Sequence, residues 1–340
     1  MLNTRADSDL AFLFKKIIYA TSLQPINADV ERKKVFNDKT YNPKLKYPKL
    51  NGNLITIKNN LEKIKTDGNI MGKLLDEKRK ELLSMANSLL HIGSVSVTSY
   101  SKYIYGTPSK ELVDTSYKLM NLEIGKEEER YATFTTMRKM IESLLFYGFQ
   151  WKVKEKDMLA GARIDQINKV IYINKNRKFS DNDIKRLIVH EIGTHVARAE
   201  NGRKQNYNLF FIGFPKYLET EEGLAAYNES NAGLLSNKII KNYAGRVIAV
   251  DLALKNSFSY VYNTLLEYFD KDEALTLTLR TKRGLSDTAK PGAFTKDHLY
   301  LKGKLLVEDY VKKGGDISKL YVGKIGIEHV NLVPKIIKYE

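Results

Sequence analysis

The amino-acid sequence predicts an α+β protein, mostly helical with a small sheet. Apolar residues recur at helical period through roughly the first 150 residues, and from Trp151 they give way to strand-length runs of β-branched and aromatic side chains. A sharply signalled helix then opens at Ser180, directly behind the second of those runs.

In chain order, Ala11–Ser22 is a short apolar-periodic segment, and Leu54–Leu90 carries amphipathic helix with a break near Asp67-Gly68. Between them YNPKLKYPKLNGN, Tyr41 to Asn53, is polar and bears Pro43 and Pro48, which favour an extended connector. Ser109–Leu122 and Glu127–Phe149 are further helix candidates. No internal repeat or low-complexity tract interrupts the chain, so we expect one unit over 1–340, with a helical front portion over about 1–150 and a second portion over about 151–340.

The second portion begins with two strand candidates, WKVKEK from Trp151 and KVIYIN from Lys169, followed by the loop NRKFS. Ser180 suits an N-cap, with Asp183 three positions on in a capping-box arrangement. Ile184, Leu187, Ile188, Ile192 and Val196 form the apolar face of the helix it starts, and Asn201-Gly202 offers a stop. A strand so placed can run beside a cleft and pair with a peptide backbone.

Composition sets the bounds. With 43% hydrophobic and 28% charged residues, the chain has the make-up of a globular protein able to bury a substantial core. It has no apolar run of membrane-spanning length and no secretory signal pattern at its start, and we expect a cytoplasmic protein without a membrane span. The absence of cysteine excludes disulfides and thiolate metal sites. The net charge of +16 suits an acidic partner, but the lysines are scattered and no basic block with interleaved aromatics points to specific nucleic acid binding.

Within the signalled helix, LIVHEIGTH places His190 and His195 five residues apart around Glu191. The usual metalloprotease helix carries H-E-x-x-H, which puts both imidazoles on one face. At about 100° per residue, a spacing of five turns the second ring roughly 140° from the first. A single-turn π-bulge would absorb the extra residue and return both rings to one metal, and such bulges favour functional sites. Gly193 lies between the histidines, where a missing side chain would ease the distortion. The alternative is one surface and one core histidine beside an unrelated glutamate.

Catalytic zinc takes three protein ligands and keeps an open position. LETEEGLAAYNE, from Leu218, reads as a second helix capped by Thr220, with Glu221 and Glu222 in its first turn. Acidic residues there also suit the helix dipole, so the residues alone leave either carboxylate as third-ligand candidate. Tyr207, Phe210, Phe211, Phe214 and Tyr217, between the two helices, are read as core packing, with Gly213 and Pro215 marking a turn.

HEIGTH followed by TEEGLA resembles the microtubule-associated tyrosine carboxypeptidases and their bacterial relatives, known by a QEGLA motif. YNPKLKYP, FSDNDIKRLIVHEIGTH and RTKRGLSDTAKPGAFTKDHLYLKG, Arg280 to Gly303, also look like blocks of that family. The histidine spacing is similar to that of dipeptidyl peptidase III. The resemblance implies a zincin-like (gluzincin-type) fold, zinc held by His190, His195 and Glu222, and Glu191 as catalytic base, with the metal-bearing catalytic portion over about 151–340. Glu221 stands where the motif's name has Gln.

It follows that Glu191 would take a proton from the water that zinc activates and deliver it to the leaving amine. Tyr300 or a nearby basic residue would then donate to the oxyanion. A carboxypeptidase must also hold a terminal carboxylate. The block from Arg280 supplies Arg280, Lys282, Arg283 and Lys296, among which Arg283, Lys296 and Lys282 are the candidate contacts, with Arg163 a further option. Cations late in the helix Asp272–Arg283 would equally complement its dipole. The expected substrate is a peptide or protein C-terminus, an acidic one included, with tyrosine as a candidate terminal residue. Endopeptidase or dipeptidyl-peptidase activity, and a non-catalytic regulatory role toward acidic partners, are the alternatives.

Overall fold

The computed structural model describes residues 2–50, 53–125 and 129–337. It is mostly helical with small sheets, as the α+β expectation has it. Two compact units interleave along the chain, one formed by Met1–Leu122 with Lys241–Leu299 and the other by Glu123–Ile240 with Tyr300–Glu340.

In the first unit the long helix Ile70–Leu90 packs against the helices Leu2–Lys16, Leu54–Lys63 and Ser96–Tyr105. Asn69 caps it by accepting from the Gly72 amide at 2.8 Å. The break near Asp67-Gly68 is therefore present, between Lys63 and Ile70. Ala11–Ser22 is not one helix: the element starts at Leu2, ends at Lys16, and resumes as the short turn Tyr19–Ser22. Its polar first turns hide a buried face through Asn3, Ala6 and Asp7, which apolar periodicity does not register. Lys110–Leu119 forms with Ser109 as its N-cap. Helices Ala28–Asn37, Asn237–Lys255, Phe258–Leu265 and Leu299–Lys312 lie where the sequence reading placed none.

The connector from Tyr41 is extended and lies along the segment Gly284–Thr288. Leu45 donates its amide to Ser286 O at 3.1 Å, Tyr47 its hydroxyl to Leu285 O at 3.0 Å, and Thr288 its hydroxyl to Pro43 O at 2.7 Å. Prolines suit this stretch because side chains and a single bridge replace a regular ladder.

The second unit holds the sheets. Strands β1 (Arg130–Tyr131), β2 (Lys152–Lys156), β3 (Ala162–Asp165), β4 (Val170–Asn174) and β5 (Phe179–Ser180) form an antiparallel β1-β5 pair and a sheet of order β2-β4-β3. β4 runs parallel to β2 and antiparallel to β3, which the sequence reading missed. Both edges of β4 are thus occupied, which explains its continuous apolar run. It is not a strand that can add a substrate backbone, contrary to the expectation above. The helix expected from Glu127 begins at Thr133, after β1; Glu127 itself lies outside the described residues.

From Ser180 one rod runs through three segments: α-helix Asp181–Leu187, π-helix Ile188–Val196 and α-helix Ala197–Arg203. Its start is the predicted capping box, the Ser180 hydroxyl accepting from the Asp183 amide at 3.1 Å and the Asp183 carboxylate from the Ser180 amide at 3.3 Å. Beyond it Phe210, Phe211, Phe214 and Tyr217 are buried, with the Phe210 and Phe214 rings edge to face at 4.9 Å, so these aromatics do pack the core. Gly213 turns there with φ of 95°, and a Cβ on it would overlap the Tyr217 ring. The chain then enters helix Leu218–Asn231. Among the described residues no helix is long and apolar enough to cross a membrane.

Candidate metal centre

The question posed by the histidine spacing is answered by the backbone. Bonding from i to i+5 through Ile188–Val196 widens the turn by one residue, so His195 returns to the face that i+4 would occupy in an α-helix. The two rings stand 4.7 Å apart between centroids at 85° to each other. Gly193 is not what permits this. A Cβ there would meet only Ile188 O, at 3.8 Å, so the missing side chain relieves no clash. The wide turn is held instead by hydrogen bonds to its carbonyls: Thr194 Oγ1 donates to Val189 O at 3.1 Å and the Tyr321 hydroxyl to Gly193 O at 3.0 Å. Asn228 Nδ2 donates to both of those hydroxyl oxygens at 2.8 Å.

Helix Leu218–Asn231 lies against the π-helix and decides between the two adjacent glutamates. Neighbouring residues on a helix diverge by about 100°. Glu222 Oε2 comes to 3.7 Å from His190 Nε2 and 3.8 Å from His195 Nε2, and the candidate ligand atoms of all three residues lie within 4.8 Å of one another. Glu221 points elsewhere, accepting from His195 Nδ1 at 3.0 Å and pairing with Arg198 and Lys324. Thr220 is not the cap. The helix begins two residues earlier at Leu218, and the Thr220 hydroxyl accepts from the Ile327 amide at 3.0 Å.

His190, His195 and Glu222 are all buried. Each imidazole has its Nδ1 against a carboxylate, His190 on Glu229 at 2.6 Å and His195 on Glu221 at 3.0 Å, which leaves the Nε2 atoms facing Glu222. Carboxylates on the far nitrogen fix the tautomer and orientation of ligating histidines. Two imidazole nitrogens and one carboxylate oxygen, so oriented, fit a divalent metal, and are a donor set that zinc takes with a position left open. Burial works against a charge on His190, but the nearby carboxylates of Glu222, Glu229 and Glu191, with Glu229 accepting from its Nδ1, outweigh it and raise its pKa well above 6.5. The pocket thus favours positive charge at the point where the three side chains meet.

Glu191 is buried beside His190. The Tyr300 ring stacks on that of His190, centroids 6.4 Å apart and planes within 19°. Its position follows from a close helix crossing, because a Cβ on Gly223 would overlap the Gly303 backbone and one on Gly303 the Glu219 carbonyl. Those two glycines let helix Leu299–Lys312 approach the Glu222 helix backbone to backbone.

The three basic candidates belong to the other unit. Lys282 is buried and donates to the carbonyls of Ala253, Asn256 and Lys290 at 3.2, 2.6 and 2.8 Å, and burial depresses its pKa to about 8. Its ammonium thus ties three backbone segments together. Arg283 Nη2 reaches Asp297 Oδ1 at 3.0 Å while its guanidinium lies 4.4 Å over the Phe294 ring. Arg280 grips the same carboxylate through Nε at 2.5 Å and Nη2 at 3.0 Å. Lys296 is half-buried, and Arg163 lies on β3 with its guanidinium 5.3 Å from the Tyr172 ring centroid.

A family model described as microtubule-associated tyrosine carboxypeptidase matches residues 34–340. The chain belongs to that family. As a family member it is 25% identical over 334 residues to the mouse protein named "Putative tyrosine carboxypeptidase MATCAP2", a match covering 95% of this chain and 57% of the relative. Mouse microtubule-associated tyrosine carboxypeptidase 1 is 30% identical over 126 residues, covering 36% of this chain and 27% of the relative. The human protein of that name is 31% identical over 122 residues, covering 34% and 26%. The chain thus spans just over half the length of the first relative.

The residues around the ligands escaped the sequence reading to different degrees. Glu229 lies seven positions after Glu222, on the same helix face, and Arg186, which donates to it at 3.0 Å, lies four before His190. Helical spacing could have found both. Lys324 and Tyr321 come from a segment about a hundred residues away, and nothing local announces them.

Proposed function

We propose that this protein is a zinc-dependent metallopeptidase of zincin-like type that removes a C-terminal residue from peptides or proteins. The convergence of His190, His195 and Glu222 carries the reading. The names of the relatives support the carboxypeptidase class and suggest tyrosine as a terminal residue.

Bound zinc would supply Lewis acidity, polarising the scissile carbonyl and acidifying water. Glu191, adjacent in sequence to a proposed ligand, takes the proton from the attacking water and returns it to the leaving amine. Tyr300, stacked on His190, is the proposed donor to the carbonyl oxygen as it gains charge. Arg283 and Lys296 are the proposed carboxylate partners on their chemistry alone. A net charge of +16 favours acidic C-termini, and a cytoplasmic location remains part of the proposal.

Peptides with free and amidated C-termini, assayed with and without chelator, test the activity. We expect only free ends to be shortened, and only with metal present. Glu191→Gln should lower turnover by about 10²–10⁴-fold at unchanged zinc content. Cleavage of amidated peptides at equal rate would redirect the assignment to an endopeptidase, and full activity of Glu191→Gln would remove the catalytic reading.

A further inference from the structure

We propose that Glu221 is a positioning residue for the metal centre, and that Lys324, from the segment behind the π-helix, holds it in place. The inference rests on the metal-site reading above and adds to it which residues aim the His195 ligand and how their charges balance.

Three observations lead to it. Glu221 is buried and accepts from His195 Nδ1 at 3.0 Å, on the side of the ring away from Glu222. It meets two buried cations, Arg198 and Lys324. Finally, Arg198 is itself anchored, its Nε donating to Leu320 O and Gly323 O at 2.9 and 3.1 Å and its Nη2 to Ile325 O at 2.5 Å.

The segment Leu320–Ile325 therefore fixes Arg198 through its carbonyls and supplies Lys324 itself. Together they clamp one carboxylate whose free direction is His195 Nδ1. With two cations on one anion, removing Glu221 alone would strand buried charge, which is costly whatever the metal does. A decisive test must neutralise Lys324 at the same time.

Zinc affinity is measured by chelator competition on full-length wild type, Glu221→Ala/Lys324→Met and Glu221→Gln/Lys324→Met, beside the melting midpoints of the metal-free proteins. The Ala pair should bind zinc about 10–100-fold more weakly, whereas the Gln pair, which keeps an acceptor for Nδ1, should stay within about threefold of wild type at a matching midpoint. Wild-type affinity in the Ala pair, or equal loss in both pairs, overturns the proposal. Should the Ala pair not fold, Glu221→Asp retains the charge but withdraws the oxygen by one methylene. We expect altered Co(II) absorption bands in that variant, and unchanged bands overturn the proposal too. A wild type that binds no zinc would instead overturn the metal-site reading itself.

Discussion

At the residue scale, some buried carboxylates are each shared between two cations, as Glu221 is by Arg198 and Lys324. Asp297 is 1% exposed and serves Arg280 and Arg283 together. Burial would raise its pKa, yet Arg280, Arg283 and Arg246 outweigh it and leave the group well below the ordinary range. A carboxyl with a depressed folded pKa contributes stability that is complete above its unfolded value, about pH 4, and is lost as the pH falls toward the folded value. Asp297→Asn should therefore cost about 3–5 kcal/mol near neutrality by stranding two guanidiniums. Denaturant melts across pH should show the gap between wild type and variant narrowing below pH 4. A constant gap would show that the acid loss lies elsewhere.

At the scale of elements, the wide turn and the glycine crossing do the work that the motif letters only imply. Tyr321→Phe removes the donor to Gly193 O and should destabilise by about 1–2 kcal/mol while weakening metal retention, measurable as melting midpoint and zinc content after dialysis. Gly193→Ala, in contrast, should change stability by less than about 1 kcal/mol, since helix propensity favours Ala and the Cβ meets only one atom at 3.8 Å. If Gly193→Ala proves the more damaging of the two, the account of the turn is wrong. Gly303→Ala must push two helices apart and should cost about 1–3 kcal/mol or more. As Tyr300 lies one turn earlier on that helix, we also expect a fall in kcat larger than the change in KM.

At the scale of the whole molecule, the three candidate ligands all belong to the unit formed by Glu123–Ile240 and Tyr300–Glu340. Zinc at 100 times its Kd would add about 2.7 kcal/mol to the folded state. Chelation should lower the melting midpoint of wild type by several degrees, about 2–4 °C per kcal/mol for a body of this size. His190→Ala should melt at the same temperature with and without chelator. A chelator-sensitive His190→Ala would place the stabilising ion elsewhere.

The capping box at Ser180, the buried run of β4 and the need for a bulge between His190 and His195 were all legible in the sequence, because each rests on contacts within a turn or a strand. The resemblance of TEEGLA to the family motif brought Glu222 forward as a ligand, while the residues alone left Glu221 level with it. What spacing and periodicity could not supply was direction: that Glu222 and not Glu221 faces the histidines, that Lys282 is spent on three carbonyls, and that Gly193 is a bystander while Tyr321 holds the turn. These depend on which segments meet after long excursions of the chain, as when Leu320–Ile325 returns to Arg198. Local periodicity records the face a residue occupies, whereas its partner across that face is chosen by tertiary packing, and at this centre the partners set the chemistry.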